Sequence, residues 1–529
     1  MQNEANVEVF DYVIVGAGAA GSVLAARLSE DGRTTVALLE AGPSERHPYV
    51  RIPAAYPRLF ETKRDWAYFT EPQAALGGRR VYWPRGKMLG GSSSINAMLW
   101  VPGNPADYAI WRERAGPLWD PADLCARLRR IAGSGEEAKQ VGAVAVGPQR
   151  DPSPLTMAFV KTARSVGIGA LGTDGSGIGV GLFDVTQHSG QRLSAAKGYL
   201  RPAMRRRNLV VRTSAPATRV VFDGRRALGV TYRRGRDEQQ VNARREVLLA
   251  AGAIGSPQLL QCSGIGPGPL LQELGIPIVT ELRRVGAGLK DHLASGLVVE
   301  TRRPVSLIAA QRAPALARYV LGRRGPLTSS LAEGVVFMRS DDRLDLPDLE
   351  LLFAPVAFLE EGRALPRLHG VTLAAIVLQP ESSGTVHITS PDPCLPPAID
   401  PRYLSDPAGR DRTVLIAGIR RCAQLVASAP LAKELGARIL PAVGAGGPLA
   451  PDDLVERSIL ETAQTLYHPV GTCAMGTEDG AVLDPRARVR GVEALRVVDA
   501  SAMPNLNRGH TLAPTLALAE RAAELIREG

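Results

Sequence analysis

The first forty residues constrain the fold more than any other stretch of this chain. Val9-Phe10-Asp11-Tyr12-Val13-Ile14-Val15 reads as a buried strand and Gly16-Ala17-Gly18-Ala19-Ala20-Gly21 as a tight turn. Ser22 to Glu30 then reads as a helix, and Thr34 to Leu39 as a second strand ending at Glu40. A parallel strand returns only through a crossover, and near-continuous apolar strands are buried on both faces, so the segment predicts a doubly wound α/β sheet. A GxGxxG pattern is weak alone, but between a strand and a helix it carries a mechanism. Gly16, Gly18 and Gly21, with Ala19 and Ala20 between them in the cofactor-binding set, allow the turn and a close backbone approach, and the N-terminus of the following helix favours a pyrophosphate. Glu40 can accept hydrogen bonds from a ribose hydroxyl pair. The expected ligand is a dinucleotide containing ADP, and an acid at position 40 disfavours a 2′-phosphate.

A chain of 529 residues exceeds what one core usually serves, so two lobes are expected. α/β signals return at Glu246-Val247-Leu248-Leu249-Ala250 with a helix over Ser256 to Cys262, and at Ala494 to Ala500 with a helix over Thr515 to Glu528. Elsewhere the texture changes. Leu349 to Phe353, Val371 to Leu378 and Gly384 to Ile388 suit strands of a second sheet, and Asp411 to Ala427 suits an amphipathic helix. The resulting expectation is a Rossmann-like domain, a parallel sheet flanked by helices, built from residues 1–150, 191–300 and 461–529. Interleaved with it, residues 151–190 and 301–460 form an α+β substrate domain on an antiparallel sheet.

Composition narrows the function. At 45% hydrophobic and 22% charged the chain is of ordinary globular type. Its net charge of +10 comes from 63 basic residues, all but seven of them Arg, scattered without a long tract interleaved with aromatics. Nucleic acid is therefore not an expected partner. Cys125, Cys262, Cys394, Cys422 and Cys473 are odd in number and far apart, which suits a reducing compartment and offers no metal site. Met1 to Phe10 does not read as a signal sequence, and no apolar run approaches the ~20 residues of a membrane span. A cytoplasmic location is expected.

A second glycine loop follows at Gly86-Lys87-Met88-Leu89-Gly90-Gly91-Ser92-Ser93-Ser94-Ile95-Asn96-Ala97-Met98. Its small residues expose backbone donors that can run along a second phosphate or a flavin ring, and the apolar residues after it argue against a solvated linker. With this loop and Gly252-Ala253-Ile254-Gly255-Ser256-Pro257-Gln258-Leu259-Leu260-Gln261-Cys262-Ser263-Gly264-Ile265-Gly266, the chain resembles the glucose-methanol-choline (GMC) oxidoreductases. Asp65-Trp66, Ser194-Ala195-Ala196, Asn208-Leu209, Asp291-His292, Tyr403-Leu404-Ser405-Asp406-Pro407 and Val498-Asp499-Ala500-Ser501 match that family's landmarks in order, so the resemblance covers nearly the whole chain.

The resemblance implies FAD, with Glu40 at the adenosine ribose, Val220 near the adenine, and Ala41 in the cofactor-binding set. It places Asn96, Ala97, Met98 and Leu99 along the flavin, and Asp499 and Ala500 at the pyrophosphate and ribitol. Trp66, Met88, Gly90, Ser94, Ala251, Gly252, Thr511 and Leu512 join the implied cofactor set. Some relatives attach the flavin through a histidine just before the Asn of this loop; Ile95 stands there, so the FAD is expected to be non-covalent.

Two of the seven histidines, His468 in Tyr467-His468-Pro469 and His510 in Gly509-His510-Thr511, lie in glycine and proline turns where relatives place their catalytic pair. Removing a hydride from an alcohol carbon requires that the hydroxyl proton leave as well, so a base and a donor to the forming alkoxide are needed. His468 is assigned as base and His510 as alkoxide partner, with the reverse left open. Leu466 and Tyr467 are expected to line the substrate pocket. His188, His292, His369 and His387 are given structural roles, His47 a solvent-facing one, and Cys473 no nucleophilic one.

The implied activity is oxidation of an alcohol, primary in the favoured reading, to an aldehyde, with electrons passed to a quinone, a protein carrier or oxygen. Hydroxynitrile lyase and fatty-acid photodecarboxylase chemistry, both known on this scaffold, are the alternatives. Two departures from the family stand out. The Ile131 to Gly147 segment is short, and Ser382-Ser383-Gly384 replaces a common Ser-Arg-Gly.

Overall fold

The computed structural model describes residues 7–133, 142, 144–172, 177–364, 367–442 and 451–529. Its first sheet has seven strands. Glu8–Val15 lies at the centre, parallel to Val36–Leu39 on one side and to Asp237–Leu249 on the other. Leu209–Arg212 extends the parallel part beyond Val36–Leu39, and Leu495–Val497 adds to it beside the end of Asp237–Leu249. The expected strand at Glu246 is thus the end of a 13-residue strand. Its first half is partly exposed and pairs antiparallel with Arg226–Arg234, which in turn pairs with Ala217–Asp223, whereas its apolar end is buried in the parallel core. Helix Ala19–Leu28, with eight buried residues, packs against the C-terminal helix Leu512–Arg527.

The second sheet is antiparallel throughout, in the order Leu435–Leu440, Leu293–Thr301, Gly370–Val377, Leu349–Ala354, Gly334–Met338, Gly179–Leu182. Strand alternation divides its residues. Leu349, Leu351 and Phe353 join Leu373, Ala375 and Val377 in a core with Val414, Leu415, Ile419 and Cys422 of helix Arg410–Ala427. Leu352, Ala354, Thr372 and Ala374 lie on the opposite face and line a cleft between the two sheets. The helix therefore covers one face and leaves the other for a ligand.

Three expectations need correction. Gly384–His387 is not in this sheet: it pairs with Ala287–Leu289 and Ala398–Asp400. It is held there by Gln261, whose amide donates to the Val386 carbonyl and accepts from Ile388 N–H. Leu293–Thr301 enters the antiparallel sheet ahead of the expected change at residue 300. His47 is half-buried rather than solvent-facing, because its Nδ1 accepts from Tyr49 N–H at 3.3 Å and caps the turn Pro48–Arg51. Most of the short segment between Ile131 and Gly147 lies outside the described residues. Ser382 knits the local fold where relatives carry the Ser-Arg-Gly run: Asp411 accepts its N–H, and its Oγ accepts from Ser405 and Asp406 N–H. Among the described residues, no helix is long and apolar enough to cross a membrane.

Candidate active site

A cavity of about 420 Å³ runs between the lobes, from the first glycine turn to the open face of the antiparallel sheet. Its first-lobe end is walled by backbone. Gly16, Gly18, Ala19 and Ala20 come from the first turn, Gly91, Ser92 and Ser93 from the second, and Ala251 and Gly252 from the turn before helix Gly252–Cys262. The turns are packed so closely that side chains are excluded. A Cβ on Gly21 would lie 1.9 Å from the Gly16 carbonyl oxygen, and one on Gly91 would lie 2.7 Å from the Gly18 Cα.

Glu40 is buried beside the first turn, accepting from Ala17 N–H at 2.9 Å and Gly42 N–H at 2.8 Å. Burial raises its pKa to about 7 against those two hydrogen bonds and nearby Lys87. Asp499 ties the third turn to the last segment: Oδ2 accepts from Gly252 N–H and Ser256 Oγ, and Oδ1 from Ser501 N–H and Oγ. Burial raises the Asp499 pKa despite these bonds.

Of the expected cofactor residues, Gly16, Gly18, Ala19, Ala20, Glu40, Ala41, Trp66, Asn96, Ala97, Met98, Leu99, Ala251, Gly252, Asp499, Ala500, Thr511 and Leu512 are on the cavity wall. Leu466, Tyr467, His468 and His510 share that wall. Gly21, Met88, Gly90, Ser94 and Val220 are not on it; they support it from behind. Gly90 N–H donates to the Ala17 carbonyl at 2.7 Å, Ser94 Oγ donates to the Leu89 carbonyl at 2.8 Å, and Met88 packs with Tyr56, Tyr82 and Ile95. Val220 N–H donates to Ser263 Oγ at 2.9 Å while its side chain enters the core of the first lobe.

The two histidines meet at the other end of the cleft, with ring centroids 4.7 Å apart. Their partners differ in kind. His468 Nδ1 lies 2.9 Å from His292 Nδ1, and His292 Nε2 lies 3.0 Å from the Leu378 carbonyl oxygen. A carbonyl only accepts, so His292 carries its hydrogen on Nε2. Burial, then the neighbouring His510, lowers the His292 pKa to about 3, so this ring is neutral and its Nδ1 is an acceptor. His468 must therefore carry its hydrogen on Nδ1, which leaves Nε2 bare. Burial lowers the His468 pKa well below the ordinary imidazole value, with His510, His292 and Arg85 adding to the effect. The main chain of His468 is held by Asp291, whose Oδ1 accepts its N–H at 2.7 Å.

His510 instead meets an acid. Its Nε2 lies 3.3 Å from Glu350 Oε1, and Glu350 is completely buried on the cleft side of strand Leu349–Ala354. Glu350 Oε2 has no partner among the described residues. Its cross-strand neighbours are Phe337 and Ile376, both members of an apolar cluster. An unpaired charge is costly in such surroundings, and His510 is the polar partner that Glu350 meets there. A hydrogen supplied by Glu350 to Nε2 would leave the ring's own hydrogen on Nδ1. The sequence points to a structural role for His292 and to none for Glu350, so both supporting groups emerge from the structure. An acid inside the otherwise apolar run Leu349-Glu350-Leu351-Leu352-Phe353 was the legible signal for the second.

The family described as GMC oxidoreductase matches residues 10–294 with its N-terminal part and 380–519 with its C-terminal part. An uncharacterized GMC-type oxidoreductase of Mycobacterium tuberculosis is 46% identical over 527 residues, covering 98% of this chain and 99% of the relative. An alcohol dehydrogenase [acceptor] of Pseudomonas putida is 40% identical over 535 residues, covering 98% and 96%. Among solved structures, the pyridoxine 4-oxidase from Mesorbium loti superposes with a TM-score of 0.87 at 31% identity, covering 98% and 99%. The chain belongs to the GMC oxidoreductases. It is an FAD-dependent enzyme acting on CH–OH donors.

The cleft suits FAD on its own geometry. No side chain caps the N-terminus of helix Ala19–Leu28, so its first N–H groups stay available to a pyrophosphate. A Cβ on Gly252 would meet nothing within 4 Å, which leaves open space at the third turn. Each Glu40 oxygen accepts one main-chain N–H and retains acceptor capacity for a ribose hydroxyl.

Proposed function

We propose that this enzyme oxidises an uncharged primary alcohol to its aldehyde, with non-covalently held FAD and an electron acceptor other than oxygen. Bound FAD supplies the acceptor for the hydride. His468 takes the hydroxyl proton at Nε2, the nitrogen its tautomer leaves bare. His510 donates its Nδ1–H to the same oxygen as negative charge develops there. A donor of this kind is commonly worth ~2.7–4 kcal/mol. The cation formed on His468 is steadied by His292, which accepts Nδ1–H, and by Asp291, which fixes the backbone. The observation that carries this assignment is the contrast between the partners: a carbonyl-anchored imidazole behind one ring, an acid behind the other. Such contrasts separate a base from a donor within one site.

The substrate end of the cleft favours apolar alcohols. Tyr56, Phe60, Leu331, Leu352, Phe358 and Tyr467 line it, and the acids on the cavity wall, Glu40 and Asp499, belong to the cofactor end. A quaternary ammonium alcohol would find no carboxylate on the substrate wall among the described residues. Ile95 offers no atom for a covalent flavin link, which supports non-covalent binding. The name of the Pseudomonas relative supports an acceptor other than oxygen.

The test is an anaerobic series of aliphatic, aromatic and quaternary ammonium alcohols, read by loss of the yellow flavin absorbance. Apolar primary alcohols should bleach it fastest, and air alone should then give little peroxide. Product without bleaching would replace oxidation with lyase chemistry, and fast peroxide formation would make the enzyme an oxidase.

A further inference from the structure

Helix Ala313–Gly322 presents its apolar stripe outward. Ala313, Leu316, Ala317, Val320 and Leu321 recur at the i, i+3, i+4, i+7, i+8 spacing that normally faces a core, yet all five are exposed. Leu316 is 52%, Val320 59% and Leu321 88% exposed, and Tyr319 is the one buried residue of the helix. A helix this short gains little from propensity alone, so an uncovered apolar stripe points to a partner that covers it.

Charge identifies the partner. Residues Arg312 to Arg324 include Arg312, Arg318, Arg323 and Arg324 and no acid. Asp151 pairs with Arg318 and Arg324, while Arg312 and Arg323 form no ion pair among the described residues. A two-fold contact with a second copy would set these cations against their own counterparts. An anionic lipid surface accepts both the leucines and the guanidinium groups. We propose that this helix is an interfacial anchor that docks the enzyme on a membrane bearing anionic lipid. The turn that leads into this helix packs against the wall of the substrate chamber. Leu307, in the turn Leu307–Gln311 just before the helix, packs with Tyr56, Phe60, Leu331 and Ala354, all four of which line the cleft. The enzyme would therefore work beside the phase in which apolar alcohols accumulate.

The experiment is co-sedimentation of the FAD-loaded enzyme with phosphatidylglycerol vesicles and with phosphatidylcholine vesicles. Wild type should pellet with the former, weakly with the latter, and release as salt is raised. Leu316→Glu combined with Leu321→Glu should cut the pelleted fraction about tenfold, and Arg312→Glu combined with Arg323→Glu should abolish the preference for the anionic lipid. All variants should keep wild-type turnover of a water-soluble alcohol and wild-type flavin content. A wild type that stays in the supernatant, or binds both vesicles equally, would overturn the proposal. So would a dimer in sedimentation velocity that the Leu316→Glu, Leu321→Glu variant dissolves, since a second copy would then be the cover.

Discussion

His292 has no free nitrogen to offer a substrate, yet it decides which nitrogen of His468 is bare. Replacing it with Leu leaves the His468 Nδ1–H buried without an acceptor and frees the ring to change tautomer. His292→Leu should slow anaerobic flavin bleaching about 100-fold while KM stays near wild type, checked by single-turnover absorbance. Glu350 should behave differently. In the proposed mechanism Glu350 keeps a hydrogen on His510 Nδ1, so Glu350→Leu should lower kcat about 100-fold. Glu350→Gln should recover most of that loss, because its amide can donate to Nε2 and preserve the same tautomer. Equal loss in both variants would reduce Glu350 to packing. The lowered His468 pKa sets a pH expectation. A depressed value keeps the ring neutral to lower pH, so the acid limb of kcat/KM should fall below 6.5. The same sign governs stability through His292, lowered to about 3. The unfolded chain binds a proton near 6.5 that the folded chain refuses, so stability falls as pH drops from 6.5 toward 3.

At the scale of elements, the three turns form one cradle, and its tightest contact is internal. Gly21→Ala would drive a Cβ to 1.9 Å from the Gly16 carbonyl. It should lower the flavin content of purified protein severalfold and lower Tm, read by the flavin-to-protein absorbance ratio and by calorimetry. These turns were legible because their chemistry is local: glycine spacing, a strand before and a helix after. Helix ends were less so. The helices expected at Ser256 and Thr515 begin at Gly252 and Leu512; at the start of the first, Asp499 accepts Gly252 N–H, a partner 247 residues away that no local signal reveals. Gly384–His387 carries the composition of a strand, but nothing local specifies which sheet receives it. The choice is made by Gln261 across the lobe boundary.

For the whole molecule, the two sheets matter through what each leaves uncovered. The parallel sheet ends in glycine turns, the antiparallel sheet leaves one face bare, and the cleft between them brings together residues hundreds of positions apart. That is why His468 and His510 could be named through the family resemblance carried by their local sequence while Glu350 and His292 could not. Their roles depend on cross-strand register and on a carbonyl at Leu378. Substrate preference belongs at this scale too. Leu352→His, which places a polar ring on the bare face, should lower kcat/KM for long apolar alcohols at least tenfold relative to short ones, measured in parallel steady-state assays.

Anaerobic stopped-flow mixing of alcohol with His468→Ala, beside wild type and His510→Asn, bears most directly on the proton-transfer assignment. The expected result is full FAD content in all three, bleaching at least ~100-fold slower in His468→Ala, and partial activity in His510→Asn, whose amide can still donate. Wild-type bleaching by His468→Ala, or complete loss in His510→Asn with flavin retained, would contradict the assignment of base and donor.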